Sequence, residues 1–274
     1  MDKINAIILA GTHSDKSKLI YGKNKAFLKL NNKPIVFNVL KALKNSNSIN
    51  KIAIVGPKKL ESIFGSDIEF FQESLGPKES RRFIENALIP YHKISPNGEK
   101  TLYIPCDLPF IASETIDNFI LKTKNYSAAF NFGIINSKNI PREIEPFKKS
   151  AKFYLKNKGY YRTANMVLFE NSKIKNREFL ESEIEKAFPM RRTTSILSKL
   201  SLYGFLAKSY PLEILKYITN NLKEQDLENA FARKPGILFK LIETKDPRAL
   251  IDIDYEEEYD YIKDNYQRLS KIYS

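Results

Sequence analysis

The 274-residue chain is short of several residue types on which common chemistries depend. It has one cysteine, Cys106, so no internal disulfide can form, and the chain reads as cytoplasmic. It has two histidines, His13 and His92, far apart in sequence, which gives neither zinc-ligand spacing nor a catalytic triad. No apolar run approaches the roughly eighteen residues of a membrane span. The start, Met1-Asp2-Lys3, leads directly into an apolar run without the regions of a signal peptide. There is no internal repeat, no low-complexity tract and no clear linker. Acidic residues are almost missing from the front: positions 15–59 hold eleven lysines and one acid.

What is present is an ordinary globular composition, 42% hydrophobic and 28% charged, with a formal net charge of +13. The acids concentrate late, nine against three basic residues over positions 243–264. A basic front and an acidic tail suit a site that holds an anionic ligand with a divalent cation, and equally suit a nucleic-acid surface. Along the first half, apolar runs at Ala6–Leu9, Ile52–Val55, Ile68–Phe71 and Thr101–Ile104 alternate with amphipathic segments at Ile35–Leu43, Arg81–Tyr91 and Ala112–Lys122. A short helix is expected at Lys58–Phe64, and Pro34 is expected at the first position of its helix. Such alternation predicts βαβ units and a mostly parallel sheet covered on both faces, a three-layer αβα architecture. Ligands of such sheets bind beyond the carboxyl ends of the strands. In the second half, Ala151–Leu155 and Arg162–Phe169 flank the turn signal Asn157-Lys158-Gly159, which predicts an antiparallel hairpin. Helices are expected at Glu178–Phe188, Leu212–Phe231 and Glu256–Ile272, and strands at Ile237–Ile242 and Ala249–Ile253. The whole, 1–274, reads as one domain with a hairpin and helical insertion at about 138–235.

Three stretches carry chemistry. Leu9-Ala10-Gly11-Thr12 ends the first strand in small residues and opens a lysine-rich loop holding Lys16, Lys18, Lys23 and Lys25. A small-residue loop supplies backbone amides, and lysines supply charge, for the phosphates of a nucleotide. Asp107 follows the strand Thr101–Ile104 and so lies at the sheet's carboxyl edge. Magnesium prefers one or two carboxylates completed by phosphate oxygens and water. Asp252 and Asp254 alternate with Ile251 and Ile253, so an extended backbone puts both carboxylates on one face.

Together these stretches resemble the nucleotidyltransferase family that includes MobA-like and sugar-phosphate nucleotidylyltransferases, whose fold is Rossmann-like of the GT-A type. Leu9-Ala10-Gly11, then Lys25-Ala26-Phe27-Leu28, then Asn32-Lys33-Pro34 is similar to the family's opening signature. Thr12 stands where a second glycine is usual, and the loop lacks the family's arginine, a place Lys16 or Lys18 could fill. Cys106-Asp107-Leu108-Pro109 resembles the metal motif, and the stretch from Asp252 to Glu258 resembles the late acidic motif. The resemblance implies that Mg2+ is held by Asp107 and Asp254, with Asp252 close behind. It implies nucleoside triphosphate contacts at Leu9, Ala10, Gly11, Thr12 and Lys25, and nucleoside contacts at Gly76 and Ser80. It further implies a second, phosphorylated small-molecule acceptor. The basic span 138–162 would meet that acceptor through Lys149, Lys152 or Arg162, with Asn165 nearby. The expected activity is transfer of a nucleoside monophosphate with release of pyrophosphate. A nucleotide-binding member without turnover, or a nucleic-acid-binding protein using the basic front, are the other readings, nucleic acid being the less expected partner. Nothing in the sequence sets the base, the acceptor or the oligomeric state.

Overall fold

A computed structural model describes residues 3–12, 19–76, 78–144, 152–174, 176–187, 208–233 and 237–273. Its central strand is β1 (Ile4–Leu9), five of whose six residues are buried. A strand apolar on both faces needs cover on both, which only helices above and below the sheet provide. The hairpin β2 (Lys29–Leu30) and β3 (Lys33–Pro34) comes next, turning through Asn31 and Asn32 at positive φ, and then α1 (Val36–Asn45). After β4 (Ile49–Gly56) a 3-10 turn spans Lys58–Ile63, followed by β5 (Glu69–Gln72), α2 (Glu79–Ile94), β6 (Thr101–Pro105) and α3 (Ser113–Thr123). The second half holds β7 (Phe130–Asn136), β8 (Phe153–Leu155), β9 (Gly159–Phe169), α4 (Arg177–Ala187), α5 (Pro211–Ile218) and α6 (Glu224–Arg233). It closes with β10 (Phe239–Thr244), α7 (Glu256–Asp264) and α8 (Tyr266–Tyr273).

The strands run in the order β10-β7-β9-β6-β1-β4-β5. Among the described residues, the pairings of this sheet are parallel except those of β9, which is antiparallel to β6, β7 and β8; the separate β2–β3 pair is antiparallel as well. Side chains alternate across the sheet. Ala6 and Ile8 of β1 pack with α1 and α3 through Val39, Leu43 and Phe119, and Ile7 packs on the opposite face with Tyr91 and Ile94 of α2. The expected αβα layers, parallel sheet and hairpin are therefore present. The hairpin turns through Asn157 and Gly159, both at positive φ. On β9, Tyr161 pairs with Phe153 of β8, while Thr101–Tyr103 of β6 pair with residues 167–169. Thus β8 takes the same edge of β9 as β6 does, beyond the carboxyl end of β6.

Several expectations are corrected. Ala249–Ile253 is not a strand: a 3-10 turn occupies Pro247–Ala249, capped by Asp246, and Asp252 N–H turns back to Leu250 O at 2.9 Å. That turn withdraws the segment from any lateral partner. Pro34 lies in β3 and α1 begins at Val36, because Ile35 N–H is spent on Leu28 O (2.8 Å) in closing the hairpin. The expected closing helix is two, broken at Asn265, whose side-chain amide takes Tyr261 O at 2.9 Å. Leu212–Phe231 is likewise two helices. Strand β7 was not expected at all; its Gly133 is required because a Cβ there would come within 3.1 Å of Ala164 Cβ on β9. Among the described residues, no helix is long and apolar enough to cross a membrane.

Candidate nucleotide and cation site

The site forms where β1, β6 and the C-terminal segment meet. Beyond β1, Ala10 N–H is held by Val55 O (2.8 Å), and Cys106 N–H by Leu9 O (3.1 Å), so both strand ends leave the sheet together. Gly56 allows this approach, since a Cβ there would stand 3.0 Å from Ala10 O. Asp107 follows two residues past β6 and is 6% exposed. Lys25 opens a 3-10 turn, Lys25–Phe27, fixed by Asn24, whose Oδ1 accepts Ala26 N–H at 2.8 Å. The C-terminal segment arrives because Ile251 and Ile253 are fully buried with Ile20, Leu28, Leu30 and Tyr259. That anchorage leaves Asp252 half-buried and Asp254 exposed. Glu258 of α7, buried, accepts Asp254 N–H at 2.8 Å and sets the backbone there.

Lys25 Nζ joins the two ends of the chain, 2.8 Å from Asp107 Oδ2 and 2.6 Å from Asp254 Oδ1. Burial alone would lower its pKa; the Asp107 and Asp254 charges overcome that and hold the ammonium well above its ordinary value. The other oxygen of Asp107, Oδ1, is buried without a hydrogen-bond partner. Two carboxylates converging on one ammonium, with a buried oxygen left over, fit a hard divalent cation that phosphate oxygens and water would complete. Among the described residues no group of three His, Cys, Asp or Glu forms a self-sufficient metal site. Cys106 is buried, and burial with the Asp107 charge pushes its thiol far up, so it is a protonated packing residue rather than a nucleophile.

Beside this pair lies a polar cluster that spacing did not reveal. Glu73, 7% exposed at the end of β5, accepts both the Thr12 N–H and, at 2.7 Å, the Thr12 hydroxyl. Asn24 Nδ2 donates to Thr12 Oγ1 (3.1 Å) and to Ala10 O (3.0 Å). Asn86 of α2 accepts Ser74 N–H at 2.6 Å, and its amide lies 3.9 Å from where a Cβ on Gly11 would stand. Gly76 is half-buried and Ser80 buried at the start of α2, so both border this loop. Arg82, one turn further, has a buried Nε without a hydrogen-bond partner and packs near Gly76. A Glu after a strand and an Asn before a 3-10 turn carry no periodic signal, which is why the sequence passed them over.

The other expected site residues are placed as follows. Leu9, Ala10, Gly11 and Thr12 sit together at the carboxyl end of β1. Asp252 is half-buried and stands two residues before Asp254, whose carboxylate is the one bound to Lys25. Lys152 is exposed beside β8, Asn165 is half-buried on β9, and Arg162 is 2% exposed, so it is not a surface cation as expected. Lys149, Lys16, Lys18 and His13 lie outside the described residues; His92 is exposed, near Arg177.

Known proteins agree with this architecture. A hypothetical transferase from Thermus thermophilus is 21% identical, covering 94% of this chain and 99% of its own, with a TM-score of 0.68. The 4-diphosphocytidyl-2C-methyl-D-erythritol synthase of Anaerococcus prevotii is 14% identical (97% of each chain, TM-score 0.53). A CMP:2-keto-3-deoxy-manno-octonic acid synthetase complexed with CTP is 11% identical (98% and 100%, TM-score 0.55). At these identities the likeness is one of fold. No curated protein matches the chain in sequence. The family described as the MobA-like NTP transferase domain matches residues 6–133, which include β1, the Gly11 loop, Lys25 and Asp107, whereas Asp254 lies outside the match. Over residues 6–133, then, the chain is similar to the MobA-like NTP transferase domain.

Proposed function

We propose that the protein is a magnesium-dependent nucleotidyltransferase that moves a nucleoside monophosphate from a triphosphate to a phosphorylated small molecule. The observation that carries this reading is the single ammonium of Lys25 bound to Asp107 and Asp254, with Asp107 Oδ1 left without a partner. In the reaction an acceptor phosphate oxygen forms a bond to the α-phosphorus. The bond from that phosphorus to the α–β bridging oxygen breaks, and pyrophosphate leaves with the electron pair. Asp107 and Asp254 are the residues that would hold Mg2+, which when bound neutralises and polarises phosphate oxygens. Lys25, once a triphosphate offers it oxygens, is placed to stabilise the charge that develops on them. Leu9, Ala10, Gly11 and Thr12 border the phosphates, and Gly76 and Ser80 the nucleoside. The chemistry asks the protein for position and charge rather than for a proton-transfer residue, in keeping with the lack of a catalytic histidine.

The acceptor side is assigned to the β8–β9 hairpin, since β8 extends beyond the carboxyl end of β6, where Asp107 lies. Lys152, Arg162, Asn165 and, beyond the described residues, Lys149 are its candidate contacts. A compact site between two chain ends suits a small acceptor better than nucleic acid, and the lone cysteine suits a cytoplasmic setting. The test is pyrophosphate release from each of the four common triphosphates with Mg2+, against a panel of phosphorylated sugars and polyols. Acceptor-dependent release that stops on chelation is expected. Tight, magnesium-dependent triphosphate binding with no release against any acceptor would favour the non-catalytic reading instead.

A further inference from the structure

Thr12 departs from the pattern its neighbours resemble, and the structure gives the departure a purpose. Its hydroxyl is used in both directions: it donates to Glu73 Oε1 at 2.7 Å and accepts from Asn24 Nδ2 at 3.1 Å. Its backbone N–H goes to the other oxygen of Glu73. Each partner is fixed in turn. Glu73 N–H is held by Gly56 O at 2.9 Å, so the carboxylate rises from the end of the β4–β5 pair. Asn24 caps the 3-10 turn whose first residue is Lys25, through Ala26 N–H at 2.8 Å, and also holds Ala10 O at 3.0 Å. A glycine at position 12 would keep the N–H bond and lose both bonds of the hydroxyl. A continuous chain of hydrogen bonds therefore runs from the Glu73–Gly76 loop, through Thr12, to the turn that presents Lys25 to Asp107 and Asp254.

We propose that Thr12 is a positioning residue that locks the nucleoside-side loop at Glu73 to the phosphate-side turn at Lys25, so that the two halves of the nucleotide site keep one relative geometry. The inference rests on the nucleotidyltransferase reading, which assigns those two sides. It makes the replacement of a glycine by threonine a rigidifying feature of an intact site rather than a mark of decay. Pre-organisation of this kind is read in ligand affinity, because groups already held in place lose little freedom when the ligand binds.

The test is calorimetric binding of the four common triphosphates, with Mg2+, to the full chain and its variants. Thr12→Val keeps the shape and the N–H and removes the hydroxyl. It is expected to weaken triphosphate binding by about three- to tenfold, the range given by one or two ordinary hydrogen bonds. Thr12→Ser, which restores the hydroxyl, is expected to bind within about twofold of the wild type, a rescue that side-chain volume alone does not explain. Lys25→Met is expected to cost less affinity in the Thr12→Val background than in the wild type, because the turn no longer holds Lys25 in register. Glu73→Gln, which keeps the shape and weakens the acceptor, should reproduce the Thr12→Val loss and serves if Thr12→Val does not fold. The proposal is overturned if Thr12→Val binds like the wild type, if Thr12→Ser fails to restore affinity, or if the Lys25 and Thr12 losses combine without interaction. A wild type that binds none of the triphosphates overturns the nucleotidyltransferase reading itself, a result distinct from these.

Discussion

Lys25 Nζ lies 2.8 Å from Asp107 Oδ2 across 82 positions of sequence, and the same nitrogen reaches Asp254 at 2.6 Å. The ammonium thus occupies the place between two carboxylates that a divalent cation would share. One consequence is a competition: Lys25 is an internal cation until phosphate oxygens and a metal draw it away. Removing it should therefore act in opposite directions on two kinds of binding. Lys25→Met is expected to bind Mn2+ alone more tightly than the wild type, by electron paramagnetic resonance titration, and the metal–triphosphate complex more weakly. Without ligands the variant should also be less stable by about 1–3 kcal/mol, the cost of leaving a buried acceptor unpaired. Equal Mn2+ affinity in both proteins would remove the competition from the account.

The three acids are predicted to differ. Asp107→Asn should reduce metal-dependent triphosphate affinity most, by about tenfold or more, roughly 1.4 kcal/mol, because it alters the buried end of the pair. Asp254→Asn should follow, its carboxylate being exposed but on the same ammonium. Asp252→Asn should cost less than either, since the Lys25 ammonium is bound by Asp107 and Asp254. Metal titrations of triphosphate binding rank the three, and a larger loss at Asp252 than at Asp254 would shift the second ligand by two residues.

What was legible in the sequence follows from what periodicity can encode. β1, β4 and β6 are apolar on both faces and stood out as buried strands. Asp107 stood out because it follows one of them, and Ile251 with Ile253 announced which side of the acidic segment would be buried. β7 was hidden because Asn131, Gly133 and Asn136 interrupt its apolar run, and the need for Gly133 arises only from Ala164 on its neighbour. The Thr12–Glu73 contact spans 61 positions and depends on where β5 ends relative to β1, which no local pattern states. Arg162 looked like a surface cation from charge density, yet it lies within β9 opposite Ile135 of β7 and is buried there, a placement that charge density does not state.

Asp246 gives a pH signature. Burial would raise its pKa, but Arg248 and the Thr115 hydroxyl hold the carboxyl below its ordinary value of 3.8. A carboxylate with a depressed folded-state pKa contributes stability above the unfolded value and loses it as pH falls through the folded one. Asp246→Asn should accordingly melt lower than the wild type at neutral pH. The gap should narrow steadily below about pH 4, where the wild-type carboxyl begins to take up its proton. Differential scanning calorimetry across that range checks it, and a gap independent of pH would mean that the loss is steric.

The acceptor side offers the last test. Lys152 is exposed and Arg162 buried, so the two cations of the hairpin should respond differently to substitution. Lys152→Glu leaves the fold alone, because an exposed side chain contributes little to stability. It reverses a charge near the proposed acceptor phosphate and should raise the apparent acceptor constant a few-fold, with triphosphate affinity unchanged. The effect should fade as ionic strength rises and the Debye length falls to about 3 Å near 1 M salt. Arg162→Lys keeps the charge but loses the fixed fork of donors, and a buried site tolerates that poorly. It should lower the melting temperature and raise the acceptor constant together. Initial rates with the first acceptor found, at two salt concentrations, separate these outcomes. If Lys152→Glu weakens triphosphate binding and leaves acceptor use untouched, the hairpin faces the nucleotide, and the acceptor must enter from the opposite side of the site.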